Sequence, residues 1–313
     1  MPPSPPVYHH ALSSGQLAQR AQLGQEALAN CSLCPRRCQV NRIAGKTGIC
    51  KTGRRAVVAA YQAHFGEEAP LVGRHGSGTI FFTHCNLLCS FCQNDDISHH
   101  GQGTPVEARQ LAAIMLELQN SGCHNINFVT PSHVVPQILE AVLLAARQGL
   151  HVPLVYNSGG YDRVETLSLL DGIVDIYMPD FKFWDAAPAV ATCDAPDYPE
   201  VARAAVIEMH RQVGDLVIDE ASGLAVKGLL VRHLVLPGGM AGTADVMAFL
   251  AGSLSPDTYV NVMSQYRPCA RAGDTPGLEV SVTREEVAQA VRQARAAGIT
   301  RLDRPRRVFQ WIG

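Results

Sequence analysis

Gly78-Thr79-Ile80-Phe81-Phe82-Thr83-His84-Cys85-Asn86-Leu87-Leu88-Cys89-Ser90-Phe91-Cys92-Gln93-Asn94 carries a short apolar β-type stretch straight into a loop with three cysteines. Their spacing is C-x₃-C-x₂-C, with an aromatic directly before the last thiol. Three thiolates are one too few for a closed four-iron cluster, so one iron lacks a protein ligand and is open to a small molecule. Zinc is the other chemistry such a group serves. His99 or His100 would then complete the ligand set, although zinc cysteines usually come paired as C-x₂-C. A chance group of buried thiols is the third possibility.

Outward from this loop the chain alternates in character. Apolar runs at 79–83, 125–130, 152–158, 173–180, 229–236 and 259–264 are separated or followed by segments of helical periodicity. The first helix is expected from a capping box, Thr104-Pro105-Val106-Glu107, with Leu111, Ile114, Met115 and Leu118 on one face. The second carries Val135, Ile138, Leu139 and Val142 and stops near Gly149, and the third is capped by Asp162 with Glu165. Two more cover roughly 199–213 and 243–254, and the last opens on Thr283-Arg284-Glu285-Glu286 and ends at Gly298.

Continuous apolar strands alternating with helices mean parallel strands covered by helices. Six such units are too few for an eight-unit barrel, so the expected fold is α/β, an open partial (βα)6 TIM-type barrel over residues 76–313. Residues 1–75 are expected to form an N-terminal extension with a cysteine-rich segment, its proline-rich first dozen residues disordered. Residues 182–199 make a longer irregular connection, suited to a lid, a docking surface or a plain surface excursion.

Composition narrows the function. Apolar residues make up 47% of the chain and charged residues 17%, enough for a sizeable core. Lys+Arg 26 against Asp+Glu 28 gives a formal charge of -2, and no basic stripe interleaves with aromatics, so no nucleic-acid partner is implied. Met-Pro-Pro-Ser-Pro-Pro does not read as a signal peptide, and no apolar run reaches membrane-spanning length. Ten cysteines without a secretion signal favour a reducing compartment and metal ligation over disulfides. The expectation is a soluble cytoplasmic protein with no membrane partner.

A second cysteine group lies upstream, at Cys31, Cys34, Cys38 and Cys50, with Gly45 and Gly48 bending the loop between the last two. Four thiols within twenty residues suit a closed tetrahedral site, so structural zinc comes first, with an auxiliary iron–sulfur cluster as its rival.

The three-cysteine loop, Phe91 included, resembles the signature of radical S-adenosylmethionine (radical SAM) enzymes. The match extends to C-x-L-C-P-R-x-C and G-x-x-G-x-C upstream, to Gly76-Ser77-Gly78-Thr79-Ile80-Phe81-Phe82, and to Cys85-Asn-Leu-Leu-Cys89-Ser-Phe-Cys92-Gln-Asn94. Together these resemble a subgroup named for similarity to pyruvate formate-lyase activating enzyme, over roughly residues 30–300. That resemblance implies a [4Fe–4S] cluster on Cys85, Cys89 and Cys92 whose open iron takes the amino and carboxylate groups of SAM. Reductive cleavage of SAM then gives a 5′-deoxyadenosyl radical for hydrogen abstraction. It implies an electron donor such as flavodoxin or ferredoxin, and either a glycyl radical enzyme partner or a small metabolite as substrate. By the same resemblance Phe91 packs beside the cluster. Asn157 and Ser158 at the third strand end, and Asp180 and Lys182 at the fourth, hold SAM and a nearby cation; Asp180 accepts from the ribose or amino group and Lys182 faces the carboxylate. Arg232, within an apolar strand, pairs with the SAM carboxylate or with a core acid. Ser264 and Gln265 approach adenine or ribose. The Gly-Gly-Glu of many relatives is replaced here by Thr130-Pro131-Ser132-His133.

Cys269 is a candidate hydrogen-donating thiol or a plain buried cysteine. Cys123 and Cys193 read as structural, Glu67 and Glu68 as a solvated acidic turn or the site mouth, and His210 as part of a wet helix face. The rival to an enzyme is a non-catalytic iron- or zinc-binding regulatory or redox-sensing protein.

Overall fold

The structure, a computed structural model, describes residues 5–303. The last ten residues of the expected barrel segment and the first four of the chain lie outside that range. The strands in chain order are β1 (Ala56–His64), β2 (Ser77–Phe82), β3 (Thr104–Val106), β4 (Ile126–Val129), β5 (Leu154–Ser158), β6 (Ile176–Pro179), β7 (Val217–Ile218), β8 (Ala225–Leu234), β9 (Tyr259–Met263) and β10 (Arg301–Leu302). All six expected runs form strands, and β2, β4, β5, β6, β8, β9 and β10 pair in parallel in that order. β1 flanks β2 antiparallel and β3 flanks β1, while β7 pairs with β8. Among the described residues the edges β3 and β10 do not meet, so the parallel sheet is open.

The helices are α1 (Tyr8–Ser13), α2 (Gln16–Ala27), α3 (Ala69–Val72), α4 (Asp95–Ser98), α5 (Ala108–Asn120), α6 (Val135–Arg147), α7 (Val164–Leu167), α8 (Ala186–Cys193), α9 (Tyr198–Val213), α10 (Thr243–Phe249) and α11 (Arg284–Ala296). At α11 the expected capping box forms, with Thr283 Oγ1 accepting from the Glu286 amide. Two caps differ from expectation. Thr104–Val106 pairs with β1, so α5 starts at Ala108 behind a Glu107–Gln110 capping box. Asp162 turns inward to accept from the Tyr156 and Ser158 hydroxyls, and Arg163 takes the cap of α7. Residues 182–199 are partly helical, as α8. Disorder over the first dozen residues is also corrected from residue 5 onward: α1 packs against α2 and α6, with the buried Tyr8 hydroxyl donating to the Val152 carbonyl at 3.0 Å.

Strand parity divides the core in two. Leu154, Tyr156, Tyr177, Leu229 and Val231 face the helix layer, where Leu111, Met115, Ile138, Val142 and Met209 meet them. The alternate residues Val155, Ile176, Met178 and Leu230 face inward and pack on Leu71 of α3 and Leu216. This second cluster closes the floor of the half-barrel. Two residues further along the same inward rows stand Asn157, Asp180 and Arg232. The period of two therefore carries each strand from an apolar floor to a polar rim.

Candidate active site

That rim borders a cavity of about 410 Å³. Around it stand Cys85, Cys89, Cys92 and Phe91 from the loop after β2, Thr130 after β4, Asn157 and Ser158 of β5, Asp180 and Lys182 after β6, Arg232 of β8, and Met263 and Gln265 at the end of β9. The structure thus brings the three loop cysteines together with all but one of the expected contact residues. Ser264 is exposed and lies off the cavity wall; its neighbour Gln265 lines the space instead. Cys269 is also off the wall, its thiol donating to the Phe91 carbonyl at 3.2 Å. Phe91 is buried and meets Phe183 and Tyr266 edge to face.

The cysteine loop needs unusual backbone. His84 (φ 70) and Leu88 (φ 57) adopt left-handed conformations, as does Thr130 (φ 61) across the cavity. Side-chained residues rarely pay this strain except at functional sites. The fold brings the Leu87 amide to 3.3 Å from Cys85 Sγ and the Ser98 hydroxyl to 3.2 Å from Cys92 Sγ. Burial pushes the Cys85 thiol up to about 12 and raises Cys92. Cys89 is raised by its hydrogen bond with Cys193 and then by burial. Cys193, read from sequence as structural, is therefore a neighbour of the site. Three desolvated thiols crowded on one wall, each disfavouring its neighbour's charge, form a donor set that fits a positively charged iron cluster.

Beside them is an ion network, with Lys182 close enough to Cys89 and Cys92 to oppose the rise of both thiols. Asp180 accepts from Lys182 Nζ at 2.5 Å and from Arg232 Nε at 2.8 Å, and Arg232 Nη2 donates to Asn157 Oδ1 at 2.6 Å. Burial works to raise the Asp180 carboxyl; Arg232 and Lys182 outweigh it and hold it below the usual carboxylate range. Arg232 thus has the core acid that sequence offered as one alternative. Gly160 (φ 74) permits the close approach of β5 and β6, since a Cβ there would stand 2.2 Å from the Asp180 carbonyl.

Of the two readings of Glu67 and Glu68, the solvated turn is corrected, and Glu67 lines the cavity as the site-mouth reading had it. Both side chains are buried beneath the rim, where Glu67 Oε2 lies 3.8 Å from Arg232 Nη1 and Glu68 Oε1 accepts from Asn261. Burial, with Glu68 and Asp180 adding to it against Arg232, pushes Glu67 up to about 7. No local signal marks this pair, because Gly66-Glu67-Glu68 has the composition of an exposed turn.

The four upstream cysteines gather as well. Cys31, Cys34, Cys38 and Cys50 ring a space of about 10 Å³ with Arg42 and His133. A Cβ on Gly48 would stand 2.5 Å from Cys38 Sγ, so only glycine fits. Arg42 is 1% exposed and has no carboxylate partner among the described residues; it donates to the Gly53 and His133 carbonyls and lies 3.7 Å from Cys31 Sγ. A buried guanidinium needs anions, and deprotonated thiols supply them. Burial pushes Cys34 up to about 12 and raises Cys50, with Arg42 opposing it at Cys50. Among the described residues no three His, Cys, Asp or Glu side chains already converge on a single-ion position.

Arg36 joins the two cysteine groups. It lies between Cys34 and Cys38, yet its guanidinium donates to the Asn86, Leu87, Cys193 and Asp194 carbonyls and stacks 5.3 Å from the Tyr161 ring centre. No helix of the described residues is long and apolar enough to cross a membrane.

No family model matches the chain. A solved structure of a radical SAM methyltransferase from Sphaerobacter thermophilus superposes with a TM-score of 0.50 and 15% identity, covering 72% of this chain and 65% of that one. The likeness shows a shared fold over somewhat less than two thirds of the methyltransferase. The uncharacterized protein MJ0674 of Methanocaldococcus jannaschii is 30% identical over 283 residues, which are 88% of this chain and 77% of the relative. At that identity and coverage the chain belongs to the same protein family as MJ0674, on a half-barrel fold shared with a radical SAM methyltransferase.

Proposed function

We propose that this protein is a radical SAM enzyme. The observation that carries the proposal is one cavity of about 410 Å³ lined both by Cys85, Cys89 and Cys92 and by Asp180, Lys182, Asn157 and Arg232. When bound, a four-iron cluster with SAM supplies reductive cleavage of the C5′–S bond and a hydrogen-abstracting radical. The chain's residues do the rest. Cys85, Cys89 and Cys92 would hold three irons, and Ser98 donates to the Cys92 sulfur. Asp180, fixed in its charged form by Lys182 and Arg232, presents carboxylate oxygens to the amino or ribose groups of SAM. Phe91, wedged against Phe183 and Tyr266, keeps water from the loop. Methyl transfer, the activity named for the structural neighbour, does not carry over at 15% identity.

The four-cysteine group is proposed to hold one structural zinc ion. Four thiols brought together by one short segment suit the closed four-sulfur set of structural zinc, and the buried Arg42 offsets part of the negative charge that four thiolates leave on the ion.

Anaerobic reconstitution tests both. Wild-type protein is expected to bind iron and sulfide, show a reduced-cluster EPR signal with dithionite, and form 5′-deoxyadenosine from SAM, while Cys89→Ala does none of these and keeps its zinc. Iron-loaded wild-type protein that yields no 5′-deoxyadenosine under strong reduction overturns the enzyme proposal in favour of a non-catalytic metal-binding protein.

A further inference from the structure

Charge is unevenly spread along this chain. Residues 31–55 hold seven basic residues, Arg36, Arg37, Arg42, Lys46, Lys51, Arg54 and Arg55, and no acidic one. The rest of the chain has 19 basic against 28 acidic residues. Arg36 and Arg42 are turned inward, as described above. Arg37, Lys46, Lys51, Arg54 and Arg55 are exposed, and Ile43 and Ile49 are exposed among them, 52% and 46%. Arg55 faces Glu107 at 3.7 Å, and Arg37 lies in the field of Glu165. Lys46, Lys51 and Arg54 have no carboxylate partner among the described residues.

The patch also lies against the candidate cluster loop. Lys51 Nζ donates to the His99 carbonyl at 3.5 Å, and the adjacent Ser98 hydroxyl contacts Cys92 Sγ. Arg36 grips the carbonyls between Cys85 and Cys89 from the same segment. A basic surface with a few apolar residues, one short step from a redox group, has the character of an electron-transfer interface: small, transient and steered by charge.

We propose that residues 37–54 are the docking face for an acidic one-electron carrier protein. This rests on the iron site proposed above, which needs one electron from outside for each SAM cleaved. In the complex the reduced carrier loses one electron and the iron held by Cys92 and its neighbours gains it; no bond or proton is exchanged. Nucleic acid is the other polyanion such a patch attracts. The exposed isoleucines, the absence of an aromatic side chain from residues 31–55 and the contact with the cysteine loop favour the protein carrier.

The test titrates fluorescently labelled flavodoxin, an acidic carrier, with the reconstituted full chain in the absence of oxygen. Binding is expected to weaken from low to physiological ionic strength, and to weaken about tenfold or more in Lys46→Glu/Lys51→Glu/Arg54→Glu. Iron content and the dithionite EPR signal of that variant are expected to match wild type. Should the triple reversal lose iron, Lys46→Gln/Arg54→Gln is read by the same titration, and wild-type salt dependence needs no variant. Salt-independent binding, or unchanged affinity in both variants, overturns the proposal. So does tighter binding of a DNA or RNA duplex than of flavodoxin, lost in the triple variant. A missing dithionite signal in wild type sinks the iron site alone, since the binding titration still reports on the docking face.

Discussion

Asp180 is the residue on which the polar rim turns. It neutralises two buried cations at once, Lys182 and Arg232, with side chains only 15% and 17% exposed. Removing it leaves both charges without their nearest anion, and breaking a buried pair in that way costs about 3–5 kcal/mol. Asp180→Ala is therefore expected to lower stability by about that amount in urea unfolding of the metal-free protein. Asp180→Asn keeps an acceptor for Arg232 and is expected to lose less. A loss below about 1 kcal/mol for Asp180→Ala would mean that water already screens the network. Asp180 and Lys182 were legible in the sequence through the family resemblance, with the period of two setting them on one side just past the end of β6. Glu67, which touches the same network and lines the cavity, was legible only as one of two alternatives, beside a solvated turn. Its burial comes from the turn into α3 folding under the sheet, a long-range placement that no local pattern records.

At the scale of elements, the cysteine segment and the cysteine loop behave as one unit clamped by Arg36. Four carbonyls share that guanidinium, and hydrogen bonds to a charged group are each worth about 1.5–3 kcal/mol. Arg36→Ala is expected to speed amide exchange across residues 85–92 by about tenfold or more and to lower iron retention, with zinc retained. Arg36→Lys, a single ammonium in place of a planar fork, is not expected to restore protection. Unchanged exchange in both variants would remove Arg36 as a clamp. Gly48 offers a matching test within the segment. Gly48→Ala drives a Cβ into Cys38 Sγ and is expected to abolish stoichiometric zinc, whereas Gly53→Ala, with open space around its Cβ, keeps it. The sequence made the helices of this unit's surroundings readable where periodicity was long, as in α6 and α11. It misled at Thr104-Pro105-Val106, where a capping signal and a strand edge look alike until β1 is there to pair with it.

Across the whole molecule, six parallel strands were visible as apolar runs, while the seams that hold the chain's first residues to them were not. One such seam is Asp175, 1% exposed, which accepts from the Val7 amide at 2.8 Å through one oxygen and from the Leu154 amide at 2.9 Å through the other. Burial pushes its carboxyl from 3.8 up to about 7, against the pull of those two amides. Glu67, also at about 7, has the same sign. Between pH 4 and about pH 7 the unfolded chain has already released a proton that the folded chain still holds at Asp175. Stability is then full below that window and falls as pH rises through it, by up to about 4 kcal/mol for a shift of this size. Asp175→Asn cannot ionise, so it removes the pH dependence; its NH2 group cannot accept from the second amide as a carboxyl hydroxyl oxygen can, so it is expected to be less stable than wild type at pH 5. Urea unfolding of the metal-free protein at pH 5 and pH 8 is expected to show a clear drop for wild type and a much smaller one for Asp175→Asn, with Val7 amide exchange quickening at pH 8 beyond its intrinsic rate in wild type only. Equal slopes for the two proteins would show that Asp175 ionises in the folded state at an ordinary pH and that its burial does not set the pH dependence of stability.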